Sequence, residues 1–215
     1  MPRTVFFSFH YQRDIFRVQQ IKHHYITKDS YTEAGFFDGS LEEKAQKHGD
    51  TAVKKMIDSG MSGSSVLCVL IGKETYKRRW VDYEILHAIG RGMGVFGITI
   101  HRLKHPRKSE ADFPDGTDNP GPNPFSYLKY VDDGTKLQPK INYSHGWTDA
   151  PYQITISSTY APPYLRAPFG FLSSLMIGPR DVPLQQIFKV YDWEINDGYN
   201  NFGSWVEAAA KQAGK

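Results

Sequence analysis

The sequence predicts an α/β protein with a central sheet of parallel strands, helices on both faces, and a long C-terminal elaboration. Three observations lead there. Over residues 4–101, β-rich runs alternate with helix-period runs in the order strand, helix, strand, helix, strand, helix, strand. SSVLCVLIG (64–72) is apolar on both faces, as a central parallel strand must be. RRWVDYEILHAIGRG (78–92) carries Val81, Ile85, Ala88 and Ile89 at helical spacing, a stripe that must face a hydrophobic interior.

Taken in order, TVFFSFH (4–10) is a buried strand, rich in aromatic and β-branched residues. QRDIFRVQQIKHHY follows as a helix with Ile15, Val18, Ile21 and Tyr25 on one face. AGFFDGS (34–40) reads as a brief second strand ending in a turn. Residues 41–58 read as a helix, with Ala45, Ala52, Val53, Met56 and Ile57 apolar. After the central strand and the 78–92 helix comes VFGITIH (95–101) as the next strand. Right-handed crossovers put helices on both faces, and ligands in such sheets bind outside the carboxyl ends of the strands. Those ends are Ser8-Phe9-His10, Asp38-Gly39-Ser40 and Gly72-Lys73.

Past His101 the text changes. Residues 102–126 are rich in Pro, Gly, Asp and Asn and read as a surface connection, long enough to suggest a function. Residues 127–183 mix short aromatic and β-branched runs with prolines, and no elements are assigned to them. IFKVYDW (187–193) reads as one more strand and FGSWVEAAAKQAG (202–214) as a closing helix. The chain thus divides into a core over 1–105, an irregular elaboration over 106–186, and a last strand and helix over 187–215 that complete the same domain.

Composition narrows the function classes. Hydrophobic residues are 40% and charged residues 23% of the 215, as in an ordinary globular protein. A net charge of +3, spread along the chain, argues against nucleic acid as a partner. The single cysteine, Cys68, lies inside an apolar run and behaves as a small hydrophobe, so no disulfide or Cys/His metal framework is expected. No signal peptide is apparent, and the longest apolar segment outside the strands, FGFLSSLMIG (169–178), is too short to span a bilayer. The expected compartment is the cytoplasm, with no membrane partner.

Most motifs dissolve on inspection. GRGMGVFG (90–97) follows a helix and precedes a strand, the reverse of a dinucleotide fingerprint, and glycine helix termination explains it better. His23-His24 and His101/His105 lack partners at metal spacing, and no Gly-x-Ser-x-Gly elbow occurs. What remains is Trp80, Glu84, His87 and Arg91, a second stripe at the edge of the apolar face. Most helical glutamates are simply solvated. Glu84, however, sits at the margin of a core stripe on a helix whose first turns point at the crevice.

The residues also carry a resemblance. VFFSFHYQ, with Phe6, Phe7, Ser8 and Phe9, resembles the first strand of Toll/interleukin-1 receptor (TIR) domains. GFFDGS resembles their second strand and contact loop, and VLCVLIGKETYKRRWVDYEI their third strand, connecting loop and glutamate helix. SFHYQ, RRWVDYEI, DDGTKLQPKIN and YDWEINDGYNNFGSWVEAAAKQAG resemble the TIR-like proteins of bacterial Thoeris antiphage systems. The general resemblance spans residues 4–101. The closer one reaches the C-terminus but is patchy over 140–186, and residues 145–183 match no motif of the family.

The resemblance implies a flavodoxin-like, TIR-like sandwich and a definite chemistry. In enzymatic TIR domains the corresponding glutamate cleaves NAD at the nicotinamide–ribose bond. Glu84 is then the catalytic residue, with Trp80, Ser8, Phe9, His10 and Asp38 as substrate-binding candidates. NAD is the substrate, with no cofactor or metal. Its ADP-ribose part becomes a cyclic or conjugated signal that activates a separate effector, and a homo-oligomer and a phage-derived trigger fit the same picture. One carboxylate suffices, because nicotinamide leaves as a neutral pyridine and the developing cation needs only a negative charge nearby. A non-catalytic TIR scaffold, with GFFDGS and FGFLSSLMIG as contact surfaces, is the competing expectation, and deoxyribosyl transfer on a similar frame ranks behind both.

Overall fold

A computed structural model of the chain describes residues 3–26, 32–33, 47, 49–143, 146–152, 154–166 and 179–215. The elements run β1 (Thr4–Ser8), α1 (Tyr11–Ile26), β2 (Thr32–Glu33), α2 (Asp50–Gly60), β3 (Val66–Ile71), α3 (Arg79–Gly90) and β4 (Gly94–Thr99). Then follow β5 (Leu128–Asp132), β6 (Lys136–Ile141), β7 (Thr148–Asp149), β8 (Ile156–Ser157), the short α4 (Pro163–Arg166), β9 (Arg180–Pro183), β10 (Val190–Asp192) and α5 (Gly198–Gln212). The expected second strand, AGFFDGS, lies outside the described residues. The strand that pairs with β1 there is Thr32–Glu33.

The first sheet is parallel throughout, in the order β10-β4-β3-β1-β2. Its middle strand is apolar on both faces for a visible reason. Val66, Cys68 and Leu70 join Val18 and Ile21 of α1 and Phe202, Trp205 and Val206 of α5 in one core. Leu67, Val69 and Ile71 join Val53 and Ile57 of α2 and Val81, Ile85, Ala88 and Ile89 of α3 in the other. The period-two alternation of a strand thus feeds two separate interiors. α3 ends as GRGMG suggests, with Gly92 at φ 63° and Met93 N–H donating back to Ala88 O at 2.9 Å.

The 106–186 segment, expected to be irregular, contains a second sheet, antiparallel, in the order β7-β6-β5-β9, with β8 also on β6. Leu128, Tyr130, Leu137, Tyr152, Ile156, Tyr164 and Val182 belong to the same core as α2 and α3. The β5–β6 hairpin had a readable signal, VDDGTKL: Gly134 takes φ 91° and Asp132 accepts its N–H at 2.9 Å. Among the described residues no helix is long and apolar enough to cross a membrane.

Candidate active site

β1 sends Val5 and Phe7 to the interior shared with α1 and α5, and Phe6 to the one shared with α2 and α3. Ser8 follows Phe6 by two positions, so it reaches the α3 side. Its Oγ–H donates to Glu84 Oε2 at 2.5 Å, across 76 positions of sequence. Both groups are buried, Ser8 at 1% and Glu84 at 4% exposure. Burial pushes the Glu84 carboxyl up to about 8, because the charged form loses its hydration there, while the Ser8 donation acts in the opposite direction.

Sequence periodicity put Glu84 at the edge of the apolar stripe. The structure buries it outright, and α3 is buried nearly all round, from Trp80 through Ala88 and Ile89 with only His87 half-buried. The cause is the second sheet's segment packed on its outer side. Tyr152 Oη donates to Arg79 O at 2.6 Å and Tyr164 Oη to Met93 O at 2.9 Å.

Trp80, one turn before Glu84, is 4% exposed, with the Arg79 guanidinium 4.6 Å over its ring and Tyr83 edge-on at 5.9 Å. Its indole N–H is buried and has no hydrogen-bond partner among the described residues. His10 is buried just past β1, with Nδ1 3.4 Å from Nη2 of Arg78, the residue before α3. The end of β1 and the start of α3 therefore meet at two points, Ser8–Glu84 and His10–Arg78. Phe9, one residue past β1, is half-buried and packs against the α1/α5 interior. Asp38 lies outside the described residues.

Two carboxyls escape sequence reading. Asp14 is fully buried against Gly72, so closely that a Cβ on the glycine would collide with its oxygens. Burial raises it to about 7, opposed by the Arg17 guanidinium 3.8 Å away. Asp82 is buried under Tyr152's side of α3, with neither oxygen hydrogen-bonded among the described residues, and burial pushes it well above the carboxylate range. Nothing in YQRDIF or WVDYE separates these aspartates from solvated helical ones. Arg78 was visible only as part of a basic pair. Among the described residues no group of three or more His, Cys, Asp or Glu side chains is placed to hold a metal ion. The arrangement offers one buried carboxyl hydrogen-bonded to a hydroxyl, beside an indole, at the carboxyl end of a parallel sheet. That suits stabilising a single positive charge better than paired acid–base work.

Residues 6–105 match the family described as Thoeris protein ThsB, TIR-like domain. The chain is also 41% identical over 213 residues to ThsB1 of Bacillus cereus (strain MSX-D12), a protein whose name proposes it as a cyclic ADP-D-ribose synthase. That alignment covers 96% of this chain and 100% of the relative.

Proposed function

Since the chain belongs to the TIR-like ThsB proteins of Thoeris systems, we propose that it cleaves NAD at the nicotinamide–ribose bond. The ADP-ribose part becomes a cyclic or conjugated signal that switches on a separate effector. The observation that carries this reading is the buried Ser8–Glu84 pair at the carboxyl end of the parallel sheet.

A carboxyl at about 8 is mostly protonated at neutral pH before NAD binds. NAD brings a cationic pyridinium ring, and a positive charge nearby favours the ionised form. The ionised Glu84 then faces the oxocarbenium character that grows at ribose C1′ as the bond to nicotinamide lengthens. Its low-dielectric setting strengthens that interaction relative to water. Ser8 holds the carboxyl in place, Trp80 screens the reacting end, and His10 with Arg78 borders it. NAD enters as substrate, and the chemistry requires no cofactor or metal. Work in the cytoplasm, self-association and a phage-derived trigger belong to the same proposal.

The test is mass spectrometry of small molecules from phage-infected cells expressing wild type or Glu84→Gln, with the variant's fold checked by circular dichroism. An ADP-ribose-derived species is expected in wild type alone. Equal product from a folded Gln variant would remove Glu84 from the chemistry. Phage protection in both without any new species would favour the scaffold reading.

A further inference from the structure

The 102–126 segment is not a free loop. Arg17, fully buried in α1, donates to the carbonyls of Leu103 at 2.8 Å and Gly116 at 3.1 Å, and pairs with Asp118 at 3.2 Å. Asp112 takes Lys73 Nζ at 2.6 Å and Arg13 Nη2 at 3.3 Å, and accepts the Asn119 N–H at 2.9 Å. Gly121 lies so close to the Gly72 and Lys73 carbonyls that a Cβ there would strike Gly72 O. Beyond it, Tyr127 stacks on Tyr76 with ring centres 5.3 Å apart. The segment is therefore a strap with two sets of anchors. Arg13 and Arg17 stand in α1, just after Ser8 and His10, whereas Gly72, Lys73 and Tyr76 lead into Trp80 and Glu84.

We propose that this strap sets the product choice of the enzyme by keeping water from the ribosyl cation, with the Lys73–Asp112 pair as its joint to the β3–α3 loop. The inference rests on the NAD-cleaving reading. When the C1′–nitrogen bond breaks, its electron pair leaves with nicotinamide. C1′ then bonds either to a nucleophilic atom of the same ADP-ribose, closing a ring, or to the oxygen of water, giving linear ADP-ribose. One proton is released either way. An internal nucleophile wins by placement, and its advantage shrinks as the water around C1′ grows more mobile and abundant. The strap is pinned on one side to α1, the helix that follows Ser8 and His10, and on the other to the β3–α3 loop that leads to Trp80 and Glu84, so loosening it frees both borders of the Ser8–Glu84 pair. Lys73 and Asp112 are tied to each other outside the Ser8–Glu84–Trp80 group, which lets the joint be altered without touching the chemistry. Hydrogen bonds from Lys73 and the Asn119 N–H hold the Asp112 carboxyl well below the usual carboxylate range.

Asp112→Asn and Lys73→Met test the joint in the full chain, and Gly121→Ala pushes the strap outward by steric collision. Extracts of infected cells expressing each variant receive NAD in aqueous methanol, with a Glu84→Gln extract as background. Three quantities are read: nicotinamide released, the ratio of linear to cyclic product, and methyl-ADP-ribose, which reports solvent reaching C1′. Nicotinamide release is expected to persist, while the linear-to-cyclic ratio and methyl trapping rise about fivefold or more. An unchanged ratio in folded, active variants overturns the strap proposal and leaves NAD cleavage standing. Wild type that yields linear ADP-ribose alone overturns it as well. Wild type that releases no nicotinamide overturns the NAD-cleaving reading, and the strap proposal with it.

Discussion

Glu84 experiences two opposed influences, loss of hydration and the Ser8 hydroxyl, and the first prevails. The reactive form is the carboxylate, so kcat/KM for NAD should climb with pH and level off above about 8. A rate profile flat from about pH 6 to about pH 9 would contradict that assignment of the active form. Ser8→Ala removes a hydrogen bond favouring ionisation, so its profile should move to higher pH, whereas a shift to lower pH would mean Ser8 stabilises the neutral acid. Trp80 and Glu84 were legible as residues because four positions on a helix share a side. Their burial was not, since nothing local distinguishes a covered carboxylate from a solvated one.

At the scale of elements, α3 is the part of the molecule on which most depends, and it is held from both sides. The parallel sheet supports its inner face, and from the second sheet's segment Tyr152 hydrogen-bonds to its first residue, Arg79, and Tyr164 to Met93 in the turn after it. Tyr164→Phe leaves the buried Met93 carbonyl without that donor and should cost about 1–2 kcal/mol in urea unfolding. An unchanged midpoint would show that the carbonyl finds another partner. β4 and α5 offer a harsher test. A Cβ on Gly94 would lie 2.5 Å from the Ala209 backbone, so Gly94→Ala should destabilise by about 2 kcal/mol or more. A neutral result would mean that α5 can slide. The helices and central strands were readable because each repeats its apolar residues at its own period. β5 and β6 were not assigned from the sequence, because Pro139 interrupts the strand pattern and the DG turn is the local signal that marks the hairpin.

For the whole molecule, the consequence of burying Asp14, Asp82 and Glu84 is a stability that depends on pH. Their folded values are raised, to about 7 for Asp14 and about 8 for Glu84, with Asp82 well above its usual range. The folded chain therefore keeps protons that the unfolded chain has already released, and stability falls as pH rises toward those folded values. His87 and His101 act the other way, since burial lowers both, but only below their ordinary value of 6.5. Between pH 6.5 and about 8 these carboxyls set the sign among the described groups, each contributing on the order of 1.4 kcal/mol per pH unit while it stays protonated. The urea midpoint should accordingly be higher at the acid end of that window, and Asp14→Asn with Asp82→Asn should flatten the slope. A midpoint that increases with pH there would refute the buried neutral carboxyls.

What the sequence determined by itself was the alternation of elements, the two-faced central strand and the presence of Ser8, His10, Trp80 and Glu84 at one edge. Those follow from local periodicity and from the rule that parallel strands end at a common edge. The tertiary structure alone decided that Phe9 packs against the α1/α5 interior, that Glu84 is buried, and that residues 102–126 are pinned by Arg13, Arg17 and Lys73. Desolvation and ion pairing depend on what packs over a group from distant parts of the chain. No window of sequence around Glu84 contains Ser8, Tyr152 or the strap.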